Sequence, residues 1–64
     1  MYINDVVKIK EKISNSKVTE NNLGTIIEVL QDTPFAVYEV EFLSDNGDII
    51  DTLTLREDEL ILLR

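Results

Sequence analysis

The chain has no cysteine, no histidine and no tryptophan. Without thiols it has no disulfide framework, no thiolate zinc site and no cysteine nucleophile. Without imidazole it lacks the commonest transition-metal ligand and general base. The aromatic residues are Tyr2, Phe35, Tyr38 and Phe42. Once Tyr38 and Phe42 are assigned to a core, too few remain to line a groove for proline-rich peptides or a cage for methylated lysine. No apolar run approaches the roughly 20 residues that span a bilayer. The opening MYINDVVKIKEKI carries charge where a signal peptide needs an apolar stretch. A cytoplasmic protein with no membrane partner is expected, in keeping with a chain that has no thiols to oxidise.

Sixty-four residues allow a single domain, residues 1–64, and a domain of this size buries only about 60% of its unfolded surface. The formal net charge is −7, and it is unevenly placed. Residues 1–20 carry four lysines against three acids, whereas residues 21–64 carry two arginines against ten acids. Nucleic-acid binding draws most of its non-specific affinity from neutralised phosphates, and an acidic body repels them. The charge therefore disfavours a nucleic-acid partner and favours a basic one.

Short segments with period-2 hydrophobicity dominate the chain. Asp5 to Lys10 places Val7 and Ile9 on one face and Val6, Lys8 and Lys10 on the other, as a half-buried strand does. The next twelve residues, EKISNSKVTENN, are mostly polar with Ile13 and Val18 as anchors, so they form a long loop. Gly24 opens a second strand that runs to about Gln31, and a glycine there implies a positive φ or a close approach at a bend. Asp32-Thr33-Pro34-Phe35 is a turn, followed by a third strand from Ala36 to Leu43. Asn46-Gly47 supplies the two positive-φ residues of a type I′ hairpin turn. The hairpin register that keeps the faces distinct pairs Tyr38 with Leu55, Val40 with Leu53 and Phe42 with Asp51. Its other face carries Glu39–Thr54, Glu41–Thr52 and Leu43–Ile50. A fourth strand spans about Ile49 to Leu55, and Arg56-Glu57-Asp58-Glu59 suits one 3-10 turn. Leu60 to Leu63 closes the chain as a fifth strand, either buried on both faces or paired near the first.

This all-β order, with a long first loop, a glycine opening the second strand and a 3-10 turn before the last, resembles a five-stranded SH3-like barrel. More narrowly, DVVKI, LGTIIEV, YEVEF and LTLREDEL resemble a family of small bacterial proteins known only as a domain of unknown function. KOW modules of ribosomal and transcription proteins are similar barrels. The resemblance implies no enzymatic residues and a role exercised through a macromolecular partner. Genes of this kind often lie beside a larger gene of unknown function, which implies an antitoxin, immunity or accessory-subunit pairing. Fold alone does not confer any of these roles.

The residues themselves offer little catalytic chemistry. With no histidine or cysteine, the candidates reduce to carboxylates, three serines, two tyrosines and lysines, and no spacing singles out a set. Asp45, Asp48 and Asp51 invite a calcium reading. Setting Asn46-Gly47 at loop positions five and six of an EF-hand, however, puts Phe42 and Leu53 where carboxylates are required. No cofactor and no metal are expected, and the chain is read as a binding module rather than an enzyme. The expected function is a small acidic protein-interaction module for a basic partner protein, encoded by an adjacent gene if the family pattern holds. Its expected binding residues are Glu39, Glu41, Leu43, Asp48 and Ile50. Two alternatives stand beside it. One is a KOW-like nucleic-acid or ribosome-associated module using the lysines of the first strand and loop. The other is a nucleic-acid mimic whose carboxylates replace phosphates.

The register generates a first test. Val40→Asp places an unpaired carboxylate in the core, at a cost of several kcal/mol that rivals the whole stability of a small domain, whereas Glu41→Lys changes an outward residue. Circular dichroism should show the first variant unfolded and the second folded; the opposite pattern rules the register out.

Overall fold

The computed structural model describes all residues from Met1 to Arg64. Five strands form one antiparallel sheet: β1 (Val6–Ile9), β2 (Leu23–Gln31), β3 (Val37–Leu43), β4 (Ile49–Arg56) and β5 (Leu60–Leu62). A 3-10 turn, Glu57–Glu59, separates β4 from β5. The spatial order is β4-β3-β2-β1-β5. The sheet is open: β4 and β5 are its edges and no ladder joins them, so the expected barrel closure is not present as strand pairing. The last strand takes the second of its two expected positions. It pairs with β1, and only Leu60 is buried while Ile61 and Leu62 are exposed.

Alternation places the core on one face of the sheet. Val7, Ile9, Ile26, Tyr38, Val40, Phe42, Leu55 and Leu60 are buried there with Val18, which the long loop contributes. Ile13 packs against the same cluster, so both expected loop anchors are used. The loop is also tied by polar groups. The Ser16 hydroxyl donates to Asp51 Oδ2 at 3.3 Å, and Val18 N–H donates to Ser16 Oγ at 3.1 Å. Lys12 Nζ donates to the carbonyls of Ile13 and Ser16, and Asn22 Oδ1 accepts from Thr19 N–H at 2.7 Å. Asp51 is thereby occupied between the loop and the N–H of Thr52, to which it bonds at 2.9 Å.

Five of the six expected β3–β4 pairs are present: Tyr38–Leu55, Glu39–Thr54, Val40–Leu53, Glu41–Thr52 and Phe42–Asp51. The sixth is corrected, because Leu43 pairs with Ile49, not Ile50. The turn explains the change. Within the turn only Gly47 has a positive φ, at 86°, so the turn is not type I′. Gly47 N–H donates to Ser44 O at 2.9 Å and Ser44 N–H to Asp48 O at 2.8 Å, enclosing a three-residue loop. Such a loop shifts the register by one, and a bulge at Ile50 restores it before Asp51. Two further bulges, between Ile26 and Glu28 and between Val29 and Gln31, bend β2 where it crosses β3. The β2–β3 turn contains a cis Thr33–Pro34 bond.

Gly24 is required by close approach, and its φ is not positive. A Cβ there would lie 2.6 Å from Cε1 of Phe42 and 2.8 Å from Cγ1 of Val40, both side chains of the core. The Phe42 ring occupies the space that any larger residue would need. A Cβ at Gly47, by contrast, would meet no atom within 4 Å, so that position needs glycine only for its backbone.

These two glycines generate a paired prediction. Gly24→Val overpacks the core and should cost about 3 kcal/mol or more, whereas Gly47→Ala strains one left-handed residue at about 1 kcal/mol. Thermal melts should show a drop of roughly 15 °C against roughly 5 °C. Equal melting temperatures would mean the Phe42 ring moves aside freely.

Candidate interaction surface

The face of the sheet turned away from the core carries Glu28, Glu39 and Glu41. Along β3, Glu39, Glu41 and Leu43 alternate with the buried Tyr38, Val40 and Phe42. The register then builds three rows across β2, β3 and β4: Leu23–Leu43–Ile49, Thr25–Glu41–Thr52 and Glu28–Glu39–Thr54. Glu28 and Glu39 are direct cross-strand partners, and like charges so placed are destabilising. Only one neutral group compensates, the Thr54 hydroxyl, which donates to Glu39 Oε1 at 2.7 Å. The molecule contains two ion pairs, Met1 ammonium with Glu57 and Arg56 with Asp58, and neither includes Glu28, Glu39 or Glu41.

Of the five expected binding residues, the structure places Glu39, Glu41 and Leu43 on this outer face. Asp48 lies at the exposed hairpin end, beside Ile49. Ile50 is corrected: it is half-buried and packs against the core, because the bulge turns it inward. Ile49 takes its place outside, 62% exposed. Sequence reasoning missed Leu23, Glu28 and Ile49. Glu28 could have been found by extending the pairing argument to β2, although the bulge beside it shifts that register by one.

The outward side of the sheet also carries cations, Lys8 on β1 and Arg56 on β4. Lys10, Lys12 and Arg56 line a cleft of about 430 Å³ with Glu11, Ile13, Asp58 and Glu59. Three cations against three carboxylates leave it without the positive balance a phosphate backbone needs. Arg56 is engaged there, its Nε donating to Asp58 Oδ1 at 3.0 Å, which raises its pKa.

A second polar contact fastens the 3-10 turn to the core. The Tyr38 hydroxyl donates to Glu57 Oε1 at 2.7 Å. Burial, and then this bond to a carboxylate, push the Tyr38 phenol up to about 12. The same bond, joined by the Met1 ammonium at 3.3 Å, holds the Glu57 carboxyl below the ordinary carboxylate range.

The chain thus forms an open, antiparallel, five-stranded all-β domain whose outward face brings Glu28, Glu39 and Glu41 together. The chain belongs to the family described as Domain of unknown function (DUF4926), whose model matches residues 3–62. No curated protein and no solved structure matches it. No helix is long and apolar enough to cross a membrane.

The Tyr38–Glu57 bond makes stability depend on pH at both ends. Tyr38, raised in the folded state, adds stability that is complete below about pH 10 and is lost as pH rises through its folded value. Glu57, lowered in the folded state, adds stability that is present above about pH 4.3 and is lost as pH falls through its folded value. Denaturant melts should show Tyr38→Phe losing the alkaline slope and flattening the acid one, where the Met1 ammonium still acts on Glu57. In a Tyr2→Phe background, tyrosinate absorbance should rise with a midpoint near 12; a midpoint near 10 would exclude a buried, carboxylate-bound phenol.

Proposed function

We propose that this protein is a non-enzymatic interaction module that binds a basic partner protein through the outer face of β2, β3 and β4, with Glu28, Glu39 and Glu41 at its centre. One observation carries the reading: Glu28 and Glu39 face each other across two strands, and neither is in an ion pair. A folded domain of this size has little stability to lose, yet it keeps a repulsive pair that a neutral side chain on either strand would relieve. A partner's lysines or arginines would neutralise the pair, and the −7 charge of the chain would steer such a partner inward. The strand order, the long first loop and the 3-10 turn before β5 support placing the sheet among SH3-like barrels. The partner is read as a cytoplasmic protein encoded beside this chain, in an antitoxin, immunity or accessory-subunit relation. A nucleic-acid enzyme would also present a basic surface, and competition between this protein and duplex DNA for it would identify mimicry.

The test has two parts. In the isolated protein, Glu39→Gln keeps the acceptor for Thr54 and removes one like charge, so thermal melts at low salt should show a gain of roughly 0.2–1 kcal/mol. With the purified protein that co-purifies with the tagged chain, Glu28→Lys, Glu39→Lys and Glu41→Lys together should slow association about tenfold and flatten its salt dependence, with circular dichroism unchanged. Association that survives the triple reversal at physiological salt removes the acidic face from the interface.

A further inference from the structure

The outer face offers more than charge. Leu23, Leu43 and Ile49 form one row across β2, β3 and β4, and Leu23 and Ile49 are 44% and 62% exposed. Carboxylates border this row on both sides along the strands, and one cation, Lys8, lies on the same side of the sheet on β1, beyond Leu23. Glu41 and then Glu39 follow along β3, and Asp45 and Asp48 stand at the exposed hairpin end. Exposed apolar patches rimmed by polar residues mark interaction sites.

We propose that this row seats an amphipathic helix of the partner, its apolar stripe on Leu23, Leu43 and Ile49 and its two flanks rich in lysine or arginine. The inference rests on the acidic-face reading and adds the partner's secondary structure and pattern. Geometry selects the helix. The free backbone groups of the edge strand β4 point along the sheet and not from its face, so an occupant seated on all three side chains of the row must satisfy its own backbone hydrogen bonds. Strands about 4.8 Å apart set the three side chains over roughly 10 Å. A helix rising 1.5 Å per residue covers that distance with positions i, i+4 and i+7, about 10.5 Å. The neighbouring row, two residues along each strand, lies roughly 6.7 Å away, within reach of a lysine or arginine on the helix flank. Charge excludes a second copy of this chain, which would set Glu28, Glu39 and Glu41 against their own equivalents.

The probe is a synthetic 18-residue alanine-based helix with leucines at i, i+4, i+7 and i+11 and lysines on both flanks, titrated into isotope-labelled protein at 150 mM salt. Amide shifts should centre on Leu23, Leu43 and Ile49. Ile49→Ser, a change at an exposed site, should weaken binding about fivefold or more while leaving the fold intact. A peptide with glutamate in place of lysine should not bind. Three outcomes overturn the proposal. The first is equal binding by a peptide of the same composition with its leucines scattered around the helix. That result removes the helix yet leaves the acidic-face reading to the triple charge reversal. The second is a set of shifts centred on β5. The third is self-association of the free protein that Ile49→Ser abolishes.

Discussion

The Phe42 ring lying where Gly24 has no side chain is the contact on which the rest of the sheet depends. It sits in the row Val7–Gly24–Phe42–Asp51, which crosses four of the five strands. Because a Cβ at Gly24 would come within 2.6 Å of that ring, any larger residue there forces Phe42 or Val40 to shift within the β2–β3 ladder. In a domain with ten buried residues, nine of them in the apolar core, a ring placed this way is a large share of that core. Asp51, at the far end of the row, ties the long loop to β4, and the loop brings Val18 into the same core. A fault at Gly24 would therefore reach the loop and the edge strand as well as the β2–β3 ladder.

Once the ring fixes which face of β3 is inside, the opposite face is fixed too. Tyr38, Val40 and Phe42 go in, so Glu39, Glu41 and Leu43 go out. The acidic surface is thus a consequence of core alternation, but alternation does not require acids at those positions, and threonines occupy the equivalent places on β4. Core packing accounts for the position of the carboxylates and leaves their identity to another cause. The Glu28–Glu39 pair, which no ion pair neutralises, points to solubility or to a partner, and a solubilising charge need not face its own kind across a ladder.

The apolar residues beside the acids sharpen that choice. Acids spread to keep an edge strand soluble would be expected to replace exposed aliphatics, yet Ile49 on the edge strand β4 stays among the exposed ones. In the proposed function, carboxylates that steer and aliphatics that hold would be complementary parts of one interface.

Much of this was legible from residue order. Strict alternation in Tyr38–Phe42 and Leu53–Leu55 defined β3, β4 and five of their pairs, since a period of two admits only one register that keeps a face apolar. Charge density marked the 3-10 turn, and the apolar character of Ile13 and Val18 in a polar stretch marked the loop anchors. What residue order could not decide was local backbone geometry at single positions. Asn46-Gly47 is compatible with more than one turn, and the three-residue loop that forms shifts the pairing so that Ile49 faces out and Ile50 in. The bulge in β2 likewise set Glu28 against Glu39, a contact that depends on one extra residue in one strand. The need for glycine at position 24 came from the Phe42 ring on the neighbouring strand and not from its own φ. Alternation is a property of each strand alone, so the sequence carried it; bulges and ring positions arise only when strands meet, so tertiary structure decided them.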